Sequence, residues 1–148
     1  MTGRFEKWER PAFDKKGMTK WSWMCQHFEN LKLGKHVDIG AFTYINARYG
    51  VELQDFFQIG SHCSIYSVST IDNKIGKILI KKNARVGTHS VIMPGIIIGK
   101  NSCVGAFSFV NQNIPNNVLA YGVPAAVRRK LTQDEIKRII DETKGEQR

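Results

Sequence analysis

Aliphatic residues recur every six positions along much of this chain. From residue 80 the series runs Ile80, Val86, Ile92, Ile98, Val104, Val110, and upstream the same step gives Leu33, Ile39, Ile45, Val51 and then Ile59, Ile65, Ile71. Glycine follows the aliphatic at Gly34, Gly40, Gly60, Gly87, Gly99 and Gly105. Four positions after it comes a mostly small residue: Thr43, Cys63, Ser69, Ala84, Ser90, Ser102, Ser108. A step of six fits neither the 3.6-residue stripe of a helix nor a heptad. It fits a short strand and a tight corner, with the aliphatic and the small residue both pointing inward and the glycine letting neighbouring backbone approach. Three such units make a three-sided coil of about 18 residues, and stacked coils make a parallel β-helix. The predicted class is therefore all-β, with a short α-helix at the C-terminus.

Two steps are too long, Val51 to Ile59 and Ile71 to Ile80. Counting the faces as Ile59, Ile65, Ile71 and again as Ile80, Val86, Ile92 puts both extra stretches at one corner, after the third face. Loops stacked on one corner of a solenoid commonly form a binding edge. The ends read differently. Residues 1–30 carry Phe5, Trp8, Phe13, Trp21, Trp23 and Phe28, enough apolar surface to cap the first coil. After Pro115 the hexads stop. Thr132-Gln133-Asp134-Glu135 then reads as a capping box, and Ile136, Ile139 and Ile140 line one side of a helix reaching about Thr143. The expected division is a basic, aromatic cap over 1–30, a β-helix over 31–115, and an exit segment with a C-terminal helix over 116–148.

Composition narrows the partners. The chain has 148 residues, room for one domain, and 22 Lys and Arg against 13 Asp and Glu give a formal charge of +9, which favours anionic ligands. The first 30 residues hold no long apolar run, so neither a signal peptide nor a membrane-inserted span is expected. Three widely spaced cysteines, Cys25, Cys63 and Cys103, form no Cys-x-x-Cys pair, which suits a cytoplasmic protein without disulfides or a thiolate metal site. Nucleic-acid binding would rest on net charge alone, because no aromatic platform with interleaved Lys and Arg follows the N-terminal segment.

Two segments carry a resemblance. Val86-Gly87-Thr88-His89-Ser90-Val91-Ile92-Met93-Pro94-Gly95 with Ile98-Gly99-Lys100-Asn101-Ser102 resembles the closing coils of hexapeptide-repeat acyltransferases. The exit segment Ile114-Pro115-Asn116-Asn117-Val118-Leu119-Ala120-Tyr121-Gly122-Val123-Pro124-Ala125 is similar to the same family, in particular its small sugar acetyltransferases. The resemblance implies a left-handed parallel β-helix, a homotrimer with sites between subunits, and acetyl transfer from acetyl-CoA to a sugar hydroxyl or amine. It maps CoA contacts onto Thr88 and Ala106, one above the other on adjacent coils, and onto Asn111, Gln112, Arg128 and Arg129, with Lys130 completing a phosphate-binding cluster. Asn46 matches an asparagine that faces the active site in the galactoside relatives, which makes it a substrate-binding candidate.

The base is where the resemblance departs. The family commonly places a histidine on the loop of a central coil, but here that loop reads Asp72-Asn73-Lys74-Ile75-Gly76-Lys77. Proton transfer then falls to His89, directly after Thr88, or to His62, expected on another corner and able to reach the site only from a neighbouring subunit. A third alternative has no histidine base: an amine attacks a thioester through positioning alone, with Asp72 and Asn73 binding the acceptor. The loop without histidine favours an amine acceptor, on a nucleotide-linked deoxysugar used for surface polysaccharide (lipopolysaccharide-type) synthesis. Sugar O-acetylation with a histidine base and a non-catalytic CoA-binding scaffold remain the alternatives. A zinc site of the carbonic-anhydrase kind needs three convergent histidines, and His62 and His89 lie 27 positions apart, so no metal is expected.

Overall fold

The computed structural model describes residues 7–144; Phe5 of the expected cap lies outside them. The chain winds as a left-handed parallel β-helix with three faces, each a sheet of short strands running up the stack. Face A holds Met24–Gln26, Tyr44–Asn46, Ser64–Tyr66, Val91–Ile92 and Phe109–Val110. Face B holds Leu31–Leu33, Val51–Leu53, Ile78–Ile80 and Ile97–Ile98, and Ile114 extends it by a bridge to Ile98. Face C holds Asp38–Ile39, Gln58–Ile59, Arg85–Val86, Cys103–Val104 and Val118–Gly122.

The six-residue step fills the inside. Ile45, Leu53, Ile65, Ile80, Ile92, Ile98 and Val110 are completely buried, and so are the small residues Ala84, Ser90 and Ser102. Their polar groups do not go unpaired: Ser90 Oγ donates to the Gly105 carbonyl at 3.3 Å, and Thr43 Oγ1 to the Gly60 carbonyl at 3.0 Å. Cys25 and Cys63 also face inward, and burial pushes both thiols up, Cys25 to about 12. Cys103 is half-buried, its thiol raised mainly by desolvation.

The register corrects the phase of the repeat in its central part. Val51 and Leu53 are both buried in one strand, and Leu53, paired with Leu33 and Ile80, marks face B. Ile59 pairs with Val86, not Ile80, and Ile65 with Ile92. Ile71 is no hexad position. The chain leaves the coil after Ser67 and returns at Ile78, and Val68–Ser69 and Lys74–Ile75 form an antiparallel hairpin in between. Ile71, on its tip, is 97% exposed. Ser69, in the hairpin, is likewise not an inward small residue. The extra residues do leave from one corner, but it is the corner from face A to face B, where Ala47–Gly50 and 68–77 lie.

The aromatic residues near the N-terminus pack against the first coil. Trp23 is buried, Phe13 meets it edge-on at 5.6 Å and stacks on Phe28 at 4.8 Å, and Trp8 donates from Nε1 to the Val37 carbonyl at 2.9 Å. At the other end the strand Ala125–Lys130 folds back antiparallel on Val118–Gly122. Leu131 N–H then bonds the Asn117 carbonyl at 2.8 Å. The helix Gln133–Lys144 starts from a two-way cap, Glu135 N–H to Thr132 Oγ1 at 3.2 Å and Thr132 N–H to Glu135 Oε2 at 2.7 Å. It buries Ile139 and Thr143, and its Glu142 pairs with Arg85 on face C.

Face C also shows why glycine follows the aliphatic there. A Cβ on Gly87 would lie 2.5 Å from the Ala106 nitrogen, and one on Gly60 would lie 2.7 Å from the Thr88 nitrogen. Neither backbone can move without breaking the coil-to-coil hydrogen bonds. Gly87→Ala is expected to cost about 1–3 kcal/mol by overpacking. Urea denaturation checks this: an unchanged midpoint would mean that the coils tolerate a wider spacing.

Candidate functional site

The corner from face C to face A is made of residues in left-handed backbone conformation. Phe42, His62, His89 and Phe107 have φ of 64°, 56°, 57° and 58° respectively. Such a conformation costs an L-residue roughly 1–2 kcal/mol. Each is offset by a hydrogen bond to the coil below: His62 N–H to the Ala41 carbonyl at 3.0 Å, His89 N–H to Ser61 at 3.1 Å, Phe107 N–H to Thr88 at 2.9 Å. Because successive coils are in register, the four rings form a column, with centroids 5.1 Å apart between Phe42 and His62 and 4.9 Å at each of the next two steps. His62 and His89 are thus direct neighbours on one corner of one chain, which corrects the expectation of separate corners. Their rings are parallel within 6°.

Thr88 precedes His89 on this corner. Its hydroxyl lies 2.7 Å from the Ser61 carbonyl, 3.2 Å from Ser61 Oγ and 2.9 Å from His89 Nδ1. Ala106 sits directly over Gly87, and beside it on face C runs a groove of about 360 Å³ walled by Gln58, Gly60, Arg85, Gly87, Cys103 and Ala106. Gly60, Gly87, Gly105 and Ala106 leave its edge toward Thr88 free of bulky side chains, so an extended, narrow ligand arm can lie along the coil axis there.

The other expected residues lie elsewhere. Asn46 ends a face A strand, toward the A-to-B corner. Its Oδ1 accepts from Arg48 N–H at 3.1 Å, as a turn residue does, and its Nδ2 points to the Tyr44 hydroxyl at 3.4 Å. Tyr44 in turn donates to Gln26 Oε1 at 2.6 Å and meets Tyr66 at 5.6 Å between ring centroids, a polar aromatic patch that the sequence reading did not single out. Desolvation raises the Tyr44 phenol, which keeps its proton. Asp72 and Asn73 sit at the tip of the hairpin on the same corner, with the Asp72 carboxyl held below its ordinary value by the Ser69 hydroxyl first and Lys74 second. Asn111 and Gln112 are exposed just beyond Val110, again where face A turns to face B.

Face A therefore separates two groups. His62, His89, Thr88 and Ala106 flank its start, and Asn46, Asp72, Asn73, Asn111 and Gln112 its end. Three to four extended residues intervene, on the order of 10 Å. Arg128 and Arg129 lie on the returning strand. Arg128 donates from Nε and Nη2 to the Tyr121 carbonyl at 3.1 and 2.9 Å and stacks on the Tyr121 ring, while Arg129 grips Glu135 with both guanidinium nitrogens, at 2.9 and 2.8 Å. Among the described residues no group of three or more His, Cys, Asp or Glu side chains is placed to hold a metal ion, and no helix is long and apolar enough to cross a membrane.

Known proteins share this arrangement. A family model described as bacterial transferase hexapeptide (six repeats) matches residues 77–112. The galactoside O-acetyltransferase of Lactococcus lactis subsp. lactis is 35% identical over 120 residues, covering 70% of this chain and 58% of that protein. The dTDP-3-amino-3,6-dideoxy-alpha-D-galactopyranose 3-N-acetyltransferase of Aneurinibacillus thermoaerophilus is 45% identical over a shorter stretch of 58 residues, 39% of this chain and 30% of that protein. The chain thus spans somewhat over half the length of the Lactococcus relative and less of the other. Among solved structures, a hexapeptide-repeat acetyltransferase of Vibrio cholerae complexed with acetyl coenzyme A superposes with a TM-score of 0.71 at 27% identity, covering 75% of this chain and 66% of that one. AntD, an N-acyltransferase from Bacillus cereus in complex with dTDP and 3-hydroxybutyryl-CoA, has the same fold, with a TM-score of 0.71 at 20% identity over 88% of each chain.

The Glu135 carboxyl is brought down to about 2, by the Arg129 fork first and the Thr132 N–H second. Its folded value lies below the ordinary 4.5, so its contribution is fully present above that pH and fades as the pH falls toward 2. The C-terminal helix is expected to loosen over that window in wild type, with the acid dependence weakened in Glu135→Gln. Amide hydrogen exchange of residues 133–144 against pH is the measurement, and equal acid sensitivity in both proteins would contradict it.

Proposed function

The chain belongs to the hexapeptide-repeat acyltransferase family, and from that membership we propose that it transfers an acetyl group from acetyl-CoA to a sugar, preferentially to the amine of a nucleotide-linked amino-deoxysugar. The observation that carries the reading is the corner at Thr88 and Ala106: two small residues stacked on adjacent coils, a groove of backbone and glycine beside them, and an imidazole one residue away. The pantetheine arm lies along that groove with its thioester at His89. Arg128, Arg129 and Lys130 take the phosphates; Arg129 does so by sharing or releasing Glu135.

The nitrogen lone pair of the acceptor forms the new C–N bond, the thioester C–S bond breaks, and the proton on nitrogen passes to His89 and from there to the departing thiolate. Asn46, Asp72 and Asn73 hold the sugar, and Asn111 and Gln112 line the cofactor's outer part. The two groups stand on opposite edges of face A, too far apart to serve one bond-forming event within a chain. This supports a homotrimer in which the His89 corner of one subunit faces the hairpin corner of the next. The amine reading draws support from the hairpin's lack of histidine and from the local likeness to a dTDP-amino-sugar N-acetyltransferase. A soluble nucleotide-linked acceptor of this kind suits cytoplasmic assembly of surface glycans.

The experiment is CoA release over a panel of amino- and hydroxy-sugars, free and nucleotide-linked. Turnover confined to amino nucleotide-sugars is expected. Turnover only with sugar hydroxyls would replace the reading with O-acetylation, and absence of turnover together with absence of acetyl-CoA binding at millimolar ligand would reject both. His89→Ala is expected to lower turnover about a hundredfold or more, as loss of a positioned general base does. His62→Ala is expected to cost less than tenfold, because that ring serves only as packing between Phe42 and His89; a larger loss in His62→Ala than in His89→Ala would reverse the two roles.

Shared sites give a second prediction. His89→Ala and Asp72→Ala/Asn73→Ala subunits, each inactive as pure assemblies, should regain up to about a quarter of wild-type turnover when unfolded together and reassembled, because mixed interfaces restore intact sites. No recovery after confirmed subunit mixing would place the whole site within one chain.

A further inference from the structure

We infer that Thr88 is a positioning residue that fixes His89 as the tautomer with its proton on Nδ1, leaving Nε2 as the proton acceptor. The inference rests on the reading of His89 as the base, and its chemistry follows from counting protons. A threonine hydroxyl has one proton and two lone pairs, and a backbone carbonyl only accepts. Thr88 Oγ1 lies 2.7 Å from the Ser61 carbonyl oxygen. Two oxygens that close need a proton between them, and only Thr88 has one to give.

The 2.9 Å contact between Thr88 Oγ1 and His89 Nδ1 also needs a proton. With the hydroxyl proton already committed to Ser61, it has to come from the ring. Nδ1 is therefore N–H, and in a neutral imidazole Nε2 keeps its lone pair. The remaining lone pair of Thr88 is open to the Ser61 hydroxyl at 3.2 Å, which completes the full set of one donation and two acceptances.

The rings above and below set the plane. His62 and Phe107 lie 4.9 Å on either side of His89, within 6° and 9° of parallel, so the imidazole is confined to one plane with two orientations related by a flip. Thr88 selects between them. The two histidines differ here. Ser61 occupies, before His62, the place that Thr88 occupies before His89, yet it turns its hydroxyl up to Thr88. The column is thus built to direct one imidazole, not two.

The test reads the tautomer itself. In 15N-labelled wild type, long-range proton–nitrogen spectra of the histidine rings, assigned by loss of signal in His89→Gln, are expected to show the His89 proton on Nδ1. Thr88→Ser should keep it there. Thr88→Val, which keeps the shape and removes the hydroxyl, should move population to the Nε2–H form and lower kcat on the order of tenfold to a hundredfold, with Thr88→Ser restoring most of it. A wild-type ring carrying its proton on Nε2, or a Thr88→Val ring still protonated on Nδ1, overturns the inference. If Thr88→Val does not fold, the wild-type and Thr88→Ser spectra decide alone. The base reading fails separately: wild-type turnover in His89→Gln removes it while leaving the tautomer result standing.

Discussion

Parallel hydrogen bonding between successive coils is the constraint from which the rest of this structure follows. It fixes the coil-to-coil distance at the strand spacing of about 4.8 Å and places each residue over its counterpart one turn below. Side chains therefore occur in columns. Inside, the columns are aliphatic; along face C one column is Gly40, Gly60 and Gly87, where a Cβ would strike the backbone of the next coil. At the corner between faces B and C the column is His36 and Phe56 stacked at 4.9 Å and then Asn83, Asn101 and Asn117 joined side chain to side chain. At the next corner it is Phe42, His62, His89 and Phe107.

Such columns explain how a short stretch of chain holds the side chain of the proposed base in place. His89 is exposed, yet its ring is held above, below and at one nitrogen by neighbours that are themselves set by backbone hydrogen bonds. The cost of a left-handed backbone at each rung is met by stacking and by those bonds. The corner from face A to face B is the opposite kind of place. It takes up two extra residues in the first two coils and a whole hairpin in the third, without altering the register of any strand. One edge of the prism is rigid, the other variable: the proposed base and pantetheine contacts stand on the first, and the proposed acceptor residues, with Asn111 and Gln112, on the second.

The fold was legible because burial inside a narrow prism forces the six-residue step, and the steps from Ile80 to Val110 contain no interruption. The phase upstream was not. Val51 and Leu53 are both buried in one three-residue strand, so an aliphatic count cannot tell which of them marks the face. Ile71 falls six after Ile65 but lies beyond the point where hairpin pairing of Val68 with Ile75 has drawn the chain away. That one-face slip displaced His62 to the wrong corner. A local signal would have placed it: Ile59-Gly60-Ser61-His62 and Val86-Gly87-Thr88-His89 share one pattern, and the same pattern occupies the same corner. The Tyr44–Gln26 contact and the Arg129–Glu135 fork join residues whose partners depend on coil stacking and on the returning strand, and neither is visible as spacing.

The three cysteines have a practical bearing. Two of them fill the prism and the third is half-covered on face C, and each thiol is shifted toward its protonated, unreactive form. A folded sample should consequently leave an aromatic disulfide dye almost uncoloured, so that colour would report the sulfhydryl released by the proposed transfer, and a rising blank becomes an early indicator that the coils have begun to come apart.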